Sequence, residues 1–213
     1  MPLFSIIVVH YQGTIPHEIF LRGIRSLQAQ TFDDYQILCY HDGPMVDPSV
    51  TFPISVTPTE TRFNDWGHSL RDRGIRAASG DYIIHFNADN FLYPYALEEL
   101  HRAINRPSYV FDNARRAMDT NDILIFPIKM MGMITFRGRS ARIAELKDQY
   151  TIMTAHPPVF RNIDCMQLVM KRQLWLNEGG WYDKSQFSDG LMYEKFAAKY
   201  GYRAISAVLG EHH

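Results

Sequence analysis

Gly80-Asp81-Tyr82-Ile83-Ile84-His85-Phe86-Asn87-Ala88-Asp89-Asn90 is the stretch whose reading decides the fold. A turn glycine leads into a short β-branched and aromatic run, the pattern of a buried strand, and the run ends in a polar cluster before Phe91-Leu92-Tyr93-Pro94. A carboxylate, Asp89, is therefore expected at the carboxyl end of a strand. In open α/β sheets ligands bind there, because loops leaving the strand tips converge on a crevice. A hard oxygen ligand in that place can hold a divalent cation whose other ligands are phosphate oxygens. The alternative is that Asn87, Asp89 and Asn90 cap the next helix and satisfy turn amides. The residues alone leave both open.

Toward the amino terminus, Phe4 to Val9 is a continuous apolar run of strand length, as expected of a central parallel strand covered on both faces. His10-Tyr11-Gln12-Gly13 forms the loop at its tip. From Pro16 onward, Ile19, Phe20, Gly23, Ile24 and Leu27 recur at helical spacing, with a proline suited to the first turn. Gln36 to Tyr40 predicts a second strand, and the turn His41-Asp42-Gly43-Pro44 puts Asp42 at the same sheet edge as Tyr11. The proline-rich stretch from Asp47 to Pro58 has room for one short strand, Ile54-Ser55-Val56. Ser69 to Ala78 predicts a helix whose Ala and Gly permit close approach to the sheet, with Gly80 as its C-cap.

Toward the carboxyl terminus, Pro94 to Ile104 predicts a helix with Ala96, Leu97, Leu100 and Ile104 on one face, and Ile123 to Ile128 a strand. Met130 to Phe136 is a further candidate strand. Arg137-Gly138-Arg139-Ser140-Ala141-Arg142 reads as a solvated basic loop or as a lid over an anionic ligand. Asp164 to Lys171 predicts a strand, Trp175 to Asp183 a loop containing Gly179-Gly180, and Leu191 to Tyr200 a helix with Leu191, Phe196 and Ala197 inward. Tyr202 to Leu209 is strand-like. Strands alternating with helices imply an α/β fold with a parallel or mixed sheet, and 213 residues fit one large domain.

Charge is nearly balanced, 22 basic against 23 acidic residues, which argues against a nucleic-acid partner held by bulk electrostatics. Cys39 and Cys165 lie in apolar strand-like runs without the neighbours of a metal or redox motif, so a reduced, cytoplasmic setting is the simpler reading. Met1 to Val9 lacks a basic leader and a small-residue cleavage site, and no run approaches the roughly 18 apolar residues of a membrane span.

Ser5-Ile6-Ile7-Val8-Val9-His10-Tyr11, Ser26-Leu27-Gln28-Ala29-Gln30-Thr31-Phe32, His41-Asp42-Gly43, Arg71-Asp72-Arg73-Gly74-Ile75 and Ala78-Ser79-Gly80-Asp81-Tyr82 follow one another along the chain. Asn87-Ala88-Asp89-Asn90, Gly179-Gly180-Trp181-Tyr182-Asp183 and Ser188-Asp189-Gly190 come after them. Each is weak singly, but in this order they resemble the family-2 glycosyltransferases of the GT-A fold. The chain also looks like the amino-terminal domains of multidomain glycosyltransferases of large chlorella-infecting viruses. The resemblance implies a central mostly parallel mixed sheet flanked by helices, with residues 1–105 as a nucleotide-sugar-binding half and 106–213 as an acceptor and catalytic half. A fragment of a longer protein is compatible with it. The implied activity is inverting transfer from a UDP-sugar, with glucose or a deoxyhexose such as rhamnose, to a hydroxyl of a carbohydrate or glycoprotein acceptor.

The resemblance also assigns residues. Tyr11 matches the position that packs on the base, and its flat face suits stacking. Asp42 matches the carboxylate that accepts from the pyrimidine imide, which suits uracil better than cytosine; turn capping is its alternative. Arg71 matches the donor-site arginine, whose planar fork holds a base carbonyl or a phosphate. The aspartate motif reads Asn87-Ala88-Asp89, its first carboxylate replaced by an amide, and Asp89 remains to hold Mn²⁺ or Mg²⁺. His212 is a candidate further ligand favouring Mn²⁺; the alternative is that Glu211-His212-His213 marks a truncation point or a tag. Asp189 matches the catalytic base, with Ser188 in place of an acidic neighbour; an ordinary carboxylate pKa near 3.9 would leave it ionised. Its alternative is to cap the following helix. Trp181, read as exposed, is a candidate platform for an acceptor sugar or a loop anchor. The rival classes are a glycoside hydrolase, a sugar nucleotidyltransferase, and a nucleotide-sugar-binding module without turnover.

Overall fold

The computed structural model describes residues 1–106, 110–111, 117–118, 121–136, 139–142 and 148–213. The chain begins β1 (Phe4–His10), α1 (His17–Gln28), β2 (Tyr35–His41), β3 (Val56–Pro58), α2 (His68–Ala77) and β4 (Tyr82–Asn87). Then come β5 (Phe91–Leu92), α3 (Ala96–Asn105), β6 (Val110–Phe111), β7 (Ala117–Met118), β8 (Ile123–Ile125) and β9 (Ile128–Met131). The remainder is β10 (Met133–Phe136), β11 (Arg139–Arg142), β12 (Tyr150–Met153), β13 (Leu168–Lys171), α4 (Arg172–Asn177), α5 (Ser188–Tyr200), β14 (Arg203–Ala204) and β15 (Gly210–His212).

A seven-stranded sheet has the order β14-β8-β13-β4-β1-β2-β3. β3, β2, β1 and β4 run parallel, β13 lies antiparallel between β4 and β8, and β14 is parallel to β8. Because side chains alternate across a strand, the apolar runs feed two cores. Phe4, Ile6 and Val8 of β1 and Ile84 and Phe86 of β4 meet Phe20, Ile24 and Leu27 of α1 and Leu97 and Leu100 of α3. Ile7, Val9 and Ile83 face the opposite side, against Leu70 and Ile75 of α2, Trp175 of α4 and Phe196 of α5. Both central strands are thus covered on both faces, which is why they read as unbroken apolar runs. A second sheet, β12-β9-β15-β5, closes one end, and β6–β7 and β10–β11 form antiparallel pairs.

The central strands, α1, α2 and α3 fall where the sequence predicts them, and several other elements differ. The predicted 123–128 strand divides at Pro127, which has no amide hydrogen to give a ladder, so β8 joins the main sheet and β9 the second. The 54–56 strand forms two residues later, at 56–58. α2 ends at Ala78 in extended conformation. Gly80 is therefore not its cap but a contact point, where a Cβ would lie 2.6 Å from Ser5 Oγ and 2.7 Å from the Phe4 carbonyl carbon. Residues 137–138 of the predicted basic loop lie outside the described residues, and 139–142 form β11 rather than loop. Asp164 caps a 3₁₀ turn at Cys165–Gln167 before β13 begins. Trp175 lies on a short helix, and Leu191 of α5 faces outward at 47% exposure instead of inward. The predicted 202–209 strand is confined to Arg203–Ala204, and the chain pairs again only at 210–212. Cys39 and Cys165 are buried free thiols. No helix among the described residues is long and apolar enough to cross a membrane.

Candidate active site

A cleft of about 580 Å³ opens at the carboxyl ends of β1, β2 and β4, and Tyr11, Asp42, Arg71, Asn87, Asp89 and Asp189 all line it. They reach it from the β1 loop, the β2 turn, α2, the end of β4 and the first turn of α5. Parallel strands whose tips end together bring about this convergence. His212, on β15, is not among the residues lining this cleft.

The β1 and β2 loops are tied through His41. The Gln12 amide donates to His41 Nε2 at 3.0 Å, so the ring proton resides on Nδ1, which donates to the Gly43 carbonyl at 2.9 Å. Asp42, 6% exposed, accepts from the Phe63 amide at 2.8 Å through Oδ1 and from the Asn64 amide at 3.0 Å through Oδ2. Its carboxylate therefore anchors a neighbouring loop, not its own turn. An ionised carboxylate has about four acceptor sites, so two bonded amides leave room for a ligand donor.

Arg71 is 3% exposed and donates through Nη2 to Asn87 Oδ1 at 2.5 Å, while its Nε and Nη1 are buried without a partner among the described residues. Its guanidinium carbon lies 5.3 Å from the centre of the Trp181 ring. Asn87 explains the altered motif: an amide oxygen orients Arg71 without cancelling its charge, as a carboxylate would. A buried cation whose side-chain bond, among the described residues, is to a neutral group is suited to an incoming anion. The capping reading of 87–90 is not met, because β5 follows and α3 starts on Tyr95 with no side-chain cap.

Asp89 Oδ1 is a buried oxygen without a partner among the described residues, and the Asp89 carbonyl accepts from Arg22 Nη2 at 3.4 Å. His212 Nδ1 lies 3.3 Å from Asp164 Oδ2. Burial works against ionisation of Asp164, but His212 and the Met166 amide together hold its pKa below the ordinary value. Among the described residues no group of three or more His, Cys, Asp or Glu side chains is gathered for a metal ion. Of the two sequence-predicted ligands, Asp89 lines the cleft and His212 does not; a buried carboxylate oxygen such as Asp89 Oδ1 suits a hard cation that takes most of its other ligands from water and substrate phosphates.

Asp189 lies one residue inside α5, whose N-cap is Phe187, and its Oδ1 accepts from the adjacent Gly190 amide at 2.8 Å. Burial raises its pKa above the ordinary carboxylate value, with the charge of Asp164 adding to the effect and Arg71 opposing it. The expectation of an unperturbed pKa is corrected accordingly. Ser188 is fully buried; its Oγ accepts from Trp181 Nε1 at 3.0 Å and lies 3.1 Å from His68 Nε2, which also reaches the Ser185 carbonyl at 3.0 Å. A hydroxyl fits that enclosed place where a carboxylate would carry an uncompensated charge.

Trp181 is fully buried, stacked on Trp175 at 5.5 Å and on His68 at 5.2 Å, so the acceptor-platform reading is replaced by loop anchor. Gly180 allows its placement: with φ +80° and Asp72 Oδ1 only 2.0 Å from where a Cβ would stand, no other residue fits. The exposed tryptophan of the cleft is Trp66, at 59% exposure and φ +56°. Arg62 also lines the cleft, with its guanidinium carbon 3.6 Å from the Tyr11 ring centre. Neither residue stands in a motif, and only the loop hung from Asp42 brings them to the site. Burial holds the His10 and His68 pKa values down at about 4, helped by His41 for the first and by Arg71 for the second. Cys165 also lines the cleft, but burial pushes its thiol up to about 12, which rules out a thiolate nucleophile at neutral pH.

Residues 5–172 match the family described as glycosyl transferase family 2. The chain belongs to that family. Among solved structures it is similar to S. aureus TarS 1–349, at 15% identity and a TM-score of 0.66 over 100% of this chain and 60% of that one. TarS 1–349 in complex with UDP-GlcNAc matches with a TM-score of 0.63 and 15% identity, covering 99% of this chain and 58% of that one. The mannosyltransferase PcManGT from Pyrobaculum calidifontis, in complex with GDP-Man and Mn²⁺, matches at 14% identity with a TM-score of 0.59, covering 97% and 55%. The chain thus spans about 60% of the length of TarS 1–349. These likenesses establish the mixed α/β glycosyltransferase fold. No curated protein matches the sequence, and the narrower viral likeness has no counterpart among these matches.

Proposed function

We propose that this glycosyltransferase takes a UDP-sugar, carrying glucose or a deoxyhexose such as rhamnose, and transfers the sugar with inversion to a hydroxyl of a carbohydrate or glycoprotein acceptor. The observation that carries the proposal is the convergence of Tyr11, Asp42, Arg71, Asp89 and Asp189, from five separate segments, on one cleft. UDP- and UDP-GlcNAc-bound relatives of the same fold support the choice of base. Tyr11 would stack on uracil and Asp42 accept from its imide, while Nε and Nη1 of Arg71, without partners among the described residues, bind the diphosphate. Residues 1–105 then serve the donor and 106–213 the acceptor side.

Asp189 removes the proton of the acceptor hydroxyl as that oxygen attacks the anomeric carbon from the face opposite UDP. Its raised pKa makes it a stronger base than an ordinary aspartate. Direct displacement inverts the anomeric configuration. Asp89 and His212 would hold Mn²⁺ or Mg²⁺, and Asp164 beside His212 provides the carboxylate–histidine contact that orients a ligating ring. When bound, the ion supplies positive charge to the departing diphosphate. Calorimetric titration of UDP with Mn²⁺ and with chelator tests the assignment. Asp89→Ala is expected to abolish the Mn²⁺-linked gain in affinity, and an undiminished gain would remove Asp89 from the metal site.

A further inference from the structure

Arg62 stands where the proposed base would stack. Its guanidinium carbon is 3.6 Å from the centre of the Tyr11 ring, and its Nε is 3.5 Å from Asp42 Oδ2. These are the two residues assigned above to the flat face and the imide of uracil. Non-bonded carbon atoms touch at roughly 3.5–4.0 Å, so the guanidinium leaves no gap over that face of the ring. A base reaches it only by displacing Arg62.

The backbone that carries Arg62 is fixed on both sides. Asp42 accepts from the amides of Phe63 and Asn64, and the Gly43 amide donates at 2.7 Å to Thr59 Oγ1, which donates at 2.9 Å to the Thr61 carbonyl. The Arg62 side chain itself is 40% exposed, whereas that of Asp42 is 8% exposed. The side chain can therefore swing into solvent while its loop and the Asp42 carboxylate stay in place.

We infer that Arg62 is a displaceable occupant of the base site, which lowers the affinity of every base-bearing ligand and reserves tight binding for nucleotides whose diphosphate also engages Arg71. The inference rests on the reading of Tyr11 and Asp42 as base contacts. Every base must break the Arg62 contacts, and only a ligand with phosphates regains the loss at the buried cation. A cation–π contact and an ion pair made by a partly exposed arginine are each worth about 1 kcal/mol. Removing them corresponds to a roughly 3- to 30-fold gain in nucleoside affinity.

The test is titration of uridine, which is uncharged at neutral pH, into the wild-type protein and Arg62→Ala, at about 20 mM and about 500 mM salt, with UDP in parallel. The variant is expected to bind uridine roughly 3- to 30-fold more tightly. Wild-type affinity for uridine should rise with salt, because screening weakens the Arg62–Asp42 pair, while that of the variant stays level. Equal uridine affinity in the two proteins, or weaker binding by the variant, overturns the inference and leaves the base site standing. Failure of both proteins to bind either uridine or UDP overturns the base-site reading, and the inference with it. The Arg62 side chain is 40% exposed, and matching thermal melts of the two proteins confirm that the comparison is between folded states.

Discussion

The Asp189 carboxylate is held where charge is disfavoured, by burial first and then by Asp164. The fold thus works against the ionised form that the proposed chemistry requires. Asp189→Asn is expected to lose about 10²–10⁴-fold in turnover, the range of general-base catalysis, with UDP affinity preserved. The amide carries no charge to bury, so the variant's melting temperature should equal or exceed that of the wild type. Undiminished turnover would exclude Asp189 as the base. Because the folded pKa is raised, the acid limb of kcat/KM should lie above the ordinary aspartate range. Asp42, Arg71, Asp89 and Asp189 were legible because each occupies a strand tip or a motif position. Arg62 and Trp66 were not, since they belong to an irregular loop held by side-chain-to-backbone bonds from Asp42 that no periodicity reveals. Trp181 was misjudged as exposed because a Gly-Gly loop reads as surface. Here Gly180 lets the chain fold back on Asp72, and the indole is driven inward between Trp175 and His68.

Among the elements, α2 and β1 are packed most tightly at Gly74. A Cβ there would lie 2.6 Å from Ile7 Cγ2, with two more atoms of the same buried side chain at 2.9 Å. Ile7 is fully buried and has no free direction of retreat. Gly74→Ala should therefore destabilise the protein by about 1–3 kcal/mol, the usual cost of overpacking, despite alanine's better helix propensity. Urea denaturation measures this, and an unchanged or raised midpoint would show that the helix can shift outward. This contact was anticipated in the sequence as close approach of a small-residue helix face. The elements that were legible are those whose pattern is complete within themselves, the runs 4–10 and 82–87 and the periodic faces of α1 and α3. Those that were not are two to four residues long: β11, β14 and β15, and the division of one predicted run into β8 and β9. Such strands are defined by the partner they find, and Pro127 and Gly132 (φ +68°) redirect the chain between partners in a way composition does not disclose.

At the scale of the whole molecule, three of the four buried histidines among the described residues, His10, His68 and His85, resist protonation. His10 and His68 have pKa values of about 4, and burial, then Arg71 and His68, drives that of His85 well below the ordinary 6.5. Below pH 6.5 the unfolded chain takes up protons that the folded one refuses, so stability is complete above that pH and is lost as pH falls toward 4. Three such groups give a slope of up to about 4 kcal/mol per pH unit, at about 1.36 kcal/mol each. Chemical denaturation at pH 7.5, 6.0 and 5.0 should show this decline, and His85→Leu should reduce it; a flat profile would mean that the three rings take up protons in place. The convergence of the β1, β2 and β4 strand tips on one cleft underlies the functional account. Its central claim is tested most directly by UDP release from a panel of UDP-sugars, with Mn²⁺ and with chelator, for the wild type and Asp189→Asn. The account predicts metal-dependent release from one UDP-sugar that is lost in the variant. Binding of UDP without turnover of any UDP-sugar in the presence of saccharide acceptors, or turnover that survives Asp189→Asn, would contradict it.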